Sequence, residues 1–392
     1  MLFFQLIGDS WVSWIIFMLF MGVFFFFYPR LMLSQIMWKL EKTAAELETL
    51  SDQSKGFLLK KISKKPSKTL KDSVDRFFDF FLIEPVSIDP YGSVKRLDHI
   101  IKGEKKRFDY FIDQTAPQLD KERKEALKMG MAGGITVHQI AKVVRHFVEL
   151  IRKEKSYQMA MIIQMQLPMV ERLAKAMAKG TKTMADGNPI GDGLGPLAAT
   201  HIMGSGKPKE IEDGIVMLQK KMNGRSLFII KAAGPGGRIG YPGKAVEKIM
   251  KKHKISRIIS IDAAAKLEGE KTGTLAEGVG VAMGGPGVER SYIESVAVEK
   301  DIPLDSIIVK MSQEEAIMPM RKAIKDAIPE VKESLARSLE RTKKGDNVIV
   351  LGVGNSSGIG DGEKNINKLN SWVEEQEKEL LSKKRRRNKN KG

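Results

Sequence analysis

The chain has 392 residues, of which 42% are hydrophobic and 29% charged, so it can fill two or three domain cores. It has no cysteine, which excludes a disulfide framework, a thiol nucleophile and a Cys-ligated zinc or iron–sulfur centre. The formal net charge is +18, concentrated in two basic clusters that favour an anionic surface as a neighbour.

In chain order, the first element is apolar. From Ser10 to Pro29 no side chain is charged. About 20 such residues cross the hydrocarbon core of a bilayer. Trp11, Trp14 and Tyr28 stand at the two ends, where amphipathic rings prefer the interface. A secretory signal would need basic residues before this run and small residues after it, and neither is present. The reading is a retained single-pass anchor in a cell membrane. Arg30, Lys39 and Lys42 follow it, then the cluster Lys55, Lys60, Lys61, Lys64, Lys65, Lys68 and Lys71. These place the body on the cytoplasmic side and make membrane lipid a partner, with nucleic acid the weaker alternative.

Residues 31–185 read as a helical, membrane-proximal region. Leu31 to Leu50 has apolar residues at helical spacing, and residues 51–95 are basic and irregular, with the aromatic stretch VDRFFDFFLIEP. Thr136 is placed to cap a helix through QIAKVVRHFVELIRK. Met159, Met161, Met165, Met169 and Met177 form a stripe that reads as helix core. The histidines (His99, His138, His146, His201 and His253) have no ligand spacing.

From residue 186 glycine becomes frequent. The stretches at 226–233, 255–263, 305–311 and 347–353 read as buried strands with helices between them. That alternation predicts a three-layer α/β domain at 186–363 with a mostly parallel sheet. Residues 364–392 form a helical, basic tail ending in the run Lys383 to Lys391, which reads equally well as a solvated segment. Ligands of such sheets bind at the carboxyl ends of the strands. Four features fall there: the loop from Gly187 to Pro196, the loop from Gly234 to Gly240, Asp262 at the end of RIISID, and the loop from Gly352 to Asp361.

Asp192 and Asp262 are the candidate chemical groups. Two carboxyls held close share a proton, because like charges raise one pKa; one then activates water while the other polarises a carbonyl. Gly191, Gly193 and Gly195 would present backbone N–H groups to the developing oxyanion. The same two aspartates would be the ligands of any divalent metal. A second reading makes the glycine loops a cradle for a nucleotide or another phosphate, with Gly236, Arg238, Asn188, Asn355 and Asp361 as contacts. A third is a membrane scaffold that keeps the fold without the chemistry.

The whole chain resembles a mainly archaeal, membrane-anchored family known as a domain of unknown function. GNPIGDGLGPLAATHIM also resembles the glycine loop of hydrogenase maturation endopeptidases and spore germination proteases. IISIDAAAKLEGEKTGTLAEGVGVAMGGPGV resembles a later segment of the same group. This likeness covers roughly 186–353 and implies a phosphorylase/hydrolase-like fold, a peptidase-type activity and a protein substrate. It puts Asp192 and Asp262 on that group's two functional carboxylates, but no histidine follows Asp262 to complete a nickel site. Those peptidases also run an apolar strand straight into the first glycine loop, whereas Lys175 to Met184 is helical and polar here. The strand that fits, VIVLGVGN, lies at 348–355. Either the sheet is circularly permuted, or the match is to a generic glycine loop. The permuted reading predicts that Asn347 to Val353 lies in the same sheet as Arg257 to Asp262, with Asp192 and Asp262 close together.

Overall fold

The computed structural model describes residues 11–79 and 90–389. The chain divides into two compact units, Met1–Asp52 with Val137–Ala174, and Gln53–Thr136 with Lys175–Gly392. Three long helices run through both: α1 (Trp11–Ile62), α4 (Lys121–Glu154) and α5 (Tyr157–Ala185).

In the first unit, Ile36, Leu40, Ala44 and Leu47 of α1 recur at helical spacing. They pack with Ala141, Val144, Val148 and Ile151 of α4 and with Ala160 and Leu167 of α5. Arg145 ties the bundle together, donating through Nε and Nη2 to Glu48 at 2.7 and 2.9 Å and through Nη1 to Glu41 at 2.5 Å. The Arg145 guanidinium holds the Glu41 carboxyl below its ordinary range. The apolar start of α1 is long and apolar enough to cross a membrane, and none of that stretch is buried inside the protein.

Two expectations for these helices are corrected. Thr136 caps nothing: it lies inside α4, and its hydroxyl donates to the Ala132 carbonyl one turn back. The methionine stripe is not uniformly core. Met159 packs against the bundle, but Met161, Met165 and Met169 are exposed, because α5 turns the opposite face inward.

The second unit carries its own helical layer. Most of residues 51–79 is helix rather than irregular chain: α1 runs on to Ile62, and after a short link α2 (Lys68–Phe78) starts with the Ser67 hydroxyl accepting from the Leu70 amide. Val74, Phe77 and Phe78 of α2 pack with Leu58, with Phe108 and Ile112 of α3 (Pro90–Thr115), and with Leu127 and Met131 of α4. The second half of the aromatic stretch VDRFFDFFLIEP falls outside the described residues.

Beyond α5 the chain builds a seven-stranded sheet. Its strands are β1 (Lys209–Glu212), β2 (Ile215–Met222), β3 (Arg225–Ala232), β4 (Arg257–Ala265), β5 (Leu275–Val279), β6 (Leu304–Met311) and β7 (Asn347–Gly352), in the order β1-β2-β3-β7-β4-β6-β5. The four central strands, β3, β7, β4 and β6, are parallel, and β1, β2 and β5 are antiparallel to their neighbours. The sheet is therefore mixed, with a parallel centre as expected. The outer strands β1, β2 and β5 carry charged residues and lack the continuous apolar run that marks a doubly covered strand.

Alternate residues of the central strands feed two cores. Leu227, Ile229, Ile259, Ile261, Val348 and Val350 face α6 (Leu194–Met203), α11 (Ile328–Glu340) and α12 (Glu363–Lys389). Phe228, Ile230, Ile258, Ile349 and Leu351 face α7 (Pro242–Lys252) and α8 (Val288–Glu299). This period of two makes three layers. The helical stretch after Ser312 is broken: α9 (Gln313–Ile317) and α10 (Lys322–Lys325) precede α11.

Candidate functional site

Strand β7 ends at Gly352, but β4 does not end with it. Ile261 is the last residue of β4 that pairs with β7, and β4 continues alongside β6 to Ala265. Asp262 is thus not the end of its strand. It is the first β4 residue beyond the end of β7, in a notch where the sheet loses its central strand. It is 5% exposed. Its Oδ1 accepts the Ala263 amide at 2.6 Å, and the Gly284 amide lies near enough to favour the ionised carboxylate.

Asp192 arrives at the notch from the other core. It lies in a 3-10 turn, Gly191–Gly193, that leads directly into α6. Close backbone packing makes this approach possible. A Cβ on Gly195 would stand 2.1 Å from the Val353 carbonyl and 2.4 Å from that of Ile261. Gly354, at φ +130°, lies against the Asp192 carbonyl, where a Cβ would come within 2.0 Å. The Asn355 amide donates to Asp192 Oδ2 at 2.9 Å.

The two carboxyls feel each other. Burial raises the pKa of Asp262 first and the Asp192 charge second, against the two amides, and it is pushed up to about 8. Burial raises Asp192 as well, opposed by the Asn355 amide. Among the described residues no basic side chain comes within ion-pair distance of either. At neutral pH the pair therefore holds at least one proton, which leaves one carboxyl able to donate and the other able to accept.

The other residues singled out in the sequence take different parts. Gly191 and Gly193 are not an oxyanion hole: their amides donate to Met318 and Ile190, and both glycines are packed against neighbouring atoms. Gly236 and Arg238 are not an open phosphate cradle. Gly236 lies against Glu122 and Glu125 of α4, and Arg238 faces the same two carboxylates, each at 3.7 Å. Asn355 is turned inward, its Oδ1 accepting the Ser357 amide at 2.8 Å. Asp361 accepts from the fully buried Lys231 ammonium at 2.6 Å and from the Gly234 amide at 3.0 Å, clamping the loop after β7 to β3. Asn188 is half-buried, with the Gly358 turn against its backbone.

Open space lies on the Asp262 side. A Cβ on Gly284, Gly285 or Gly287 would meet nothing within 4 Å. The sequence marks Gly284 to Gly287 as a glycine-rich turn, here leading into α8; its approach to Asp262 required the fold. Among the described residues no group of three or more His, Asp or Glu side chains could hold a metal ion. A divalent ion at Asp192 and Asp262 would have two protein carboxylates and no third side-chain ligand of those types, so the residues present do not form a protein-built cage.

Two family profiles cover nearly the whole length. The N-terminal domain of DUF1512, a protein of unknown function, matches residues 14–187, and the DUF1512 C-terminal domain matches residues 190–360. The chain belongs to the DUF1512 family. The junction between the two profiles falls just before the Asp192 turn, so both carboxyls lie in the DUF1512 C-terminal domain. No curated protein and no solved structure matches the chain.

Proposed function

We propose that the protein is a membrane-tethered hydrolase of peptide type, with its body on the cytoplasmic side and Asp192 and Asp262 as its acid–base pair. The observation that carries this reading is two buried carboxyls, each without a cation, in each other's field at a notch on the carboxyl edge of a parallel sheet. The ionised carboxyl takes a proton from water as the water oxygen bonds to the amide carbon. The protonated one hydrogen-bonds the carbonyl oxygen, and a proton then passes to the departing nitrogen as the C–N bond breaks.

The position of β7 supports the permuted reading. It lies between β3 and β4, and its carboxyl end meets the Asp192 turn through Gly195 and Gly354. That is where the peptidases resembling this segment run their first strand into the corresponding glycine loop. The phosphate-binding alternative loses support because Gly236 and Arg238 are engaged by α4.

The test uses Asp192→Asn and Asp262→Asn in the full chain, with hydrolysis of denatured membrane and cytosolic proteins as the readout. Each substitution is expected to lower the rate at least about a hundredfold while the protein stays folded, since asparagine caps but cannot exchange a proton. Unchanged hydrolysis in both variants, or none in the parent, would leave the scaffold reading. For the anchor, a carbonate wash should leave the intact chain in the membrane and release a chain starting near residue 45. Recovery of the intact chain in the wash would refute the anchor.

A further inference from the structure

Beyond Ile261, β4 has a neighbouring strand on one edge only. Successive residues of a strand turn their N–H and C=O groups to opposite edges. The Ile258 and Lys266 amides donate to the Pro303 and Met311 carbonyls, so the even-numbered residues of this stretch face β6. The Ile261 carbonyl accepts the Val353 amide, so the odd-numbered ones face β7. Pairing with β7 stops at Ile261, whereas pairing with β6 runs on to Ala265. The backbone groups of Ala263 and Ala265 therefore point to an edge that β7 has left.

The Ala263 amide turns back to Asp262 Oδ1. Among the described residues, the Ala263 carbonyl and both backbone groups of Ala265 have no hydrogen-bond partner. Exposure rises along this edge: Asp262 is buried, Ala263 and Ala264 are half-buried, and Ala265 is exposed. Three alanines in a row leave the backbone reachable, and Gly284, Gly285 and Gly287 border open space nearby. Edges that must not pair are blunted by charge or proline. The outer strand β1 is of that kind, with Lys209, Glu210 and Glu212. Only a chain in strand conformation presents N–H and C=O groups at the spacing of Ala263 and Ala265. The free stretch is too short for the edge of a second folded sheet, so a single unfolded chain is the occupant that fits.

We propose that the β4 edge at Ala263 and Ala265 binds an extended polypeptide segment as an added strand, and that this segment is the substrate of the carboxyl pair. Calling it a substrate rests on the hydrolase reading above; the binding itself does not. In parallel orientation, one residue of the segment donates its N–H to the Ala263 carbonyl and accepts the Ala265 amide through its own C=O. The segment then runs past Asp262, the preceding residue of β4. Main-chain bonds supply the affinity, so the substrate class is unfolded or unpaired polypeptide, with little demand on its sequence.

The test follows the anisotropy of a short, uncharged, fluorescent Val/Thr/Ser peptide titrated with full-length protein in detergent. The chain carries Asp192→Asn and Asp262→Asn together, so that the peptide is not cut. Binding is expected, and the same peptide with every amide N-methylated should not bind. Ala265→Pro removes a donor from the free edge and no bond from the β6 ladder. It should weaken binding about tenfold, the upper range for one backbone hydrogen bond, with the melting temperature unchanged. The rival edge is β5, where Val279 faces outward because Thr274 and Gly280 face β6. Val279→Pro should leave binding as it was. Equal binding of the N-methylated peptide, no binding at all, or loss with Val279→Pro but not with Ala265→Pro overturns the proposal. Binding with no hydrolysis by the parent supports the edge and sinks the hydrolase reading; hydrolysis with no binding does the reverse.

Discussion

Ending the chain at Asp346 is expected to unfold the α/β domain, although the deletion removes only the last part of the sequence. The segment lost includes β7, which lies between β3 and β4 and joins the two halves of the sheet. Val348, Ile349 and Val350 are 0% exposed and Leu351 is 1% exposed. Burying such side chains contributes about 1.5 to 3 kcal/mol each, so these four alone approach the about 5 to 15 kcal/mol that holds a whole domain together. The deletion also removes Ile366, Leu369 and Val373 of α12, and Asp361, the partner of buried Lys231. Circular dichroism and limited proteolysis should show a molten or aggregated domain. Ending the chain at Ser382 takes no residue from either core and should leave melting unchanged. A cooperatively folding domain after the longer deletion would show that the sheet does not depend on β7, and would remove the permuted reading with it.

The second large effect is on stability as a function of pH. Unfolded, the Asp262 carboxyl titrates near 3.8, and in the fold it is pushed up to about 8. Between those values the folded protein keeps a proton that the unfolded chain has lost. Stability contributed by this group is therefore full at low pH and falls as pH rises from about 4 to about 8. Asp262→Asn removes the ionisation while leaving an oxygen to accept the Ala263 amide. It should be nearly neutral at pH 4 and stabilising at pH 9, by about 3 to 5 kcal/mol at the upper end. In a domain of this size that is a rise in melting temperature on the order of 10 °C. Asp192→Asn should act in the same direction twice, by removing its own buried charge and by relieving Asp262. A difference between parent and Asp262→Asn that stays constant from pH 4 to pH 9 would show that Asp262 ionises freely. Gain of stability together with loss of hydrolysis in one variant is the pattern a functional carboxyl pair produces.

The sequence by itself determined the elements whose signal is local. The uncharged run before Arg30 specifies a helix able to cross a membrane, because about twenty apolar residues in a helix match the thickness of the hydrocarbon core. The runs around Leu227, Ile258, Ile307 and Val348 specify buried strands, because a strand covered on both faces reads as a near-continuous apolar run. Asp192 and Asp262 stood out as short carboxyls among glycines at the places where such sheets carry ligands.

Only the tertiary structure decided what those residues meet. Strands β1, β2 and β5 pair at the sheet's margins through backbone hydrogen bonds that leave no apolar pattern in the chain. Glycine frequency suggested loops open to a ligand, yet Gly191, Gly193, Gly195 and Gly354 are small so that backbone can lie against backbone, whereas Gly284, Gly285 and Gly287 border open space. Arg238 and Asp361 looked equally available in sequence, but Glu122 and Glu125 on α4 and Lys231 on β3, all distant in the chain, engage them. The raised pKa of Asp262 has the same origin. Burial and the charge of a residue seventy positions earlier set it, and long-range packing alone supplies both.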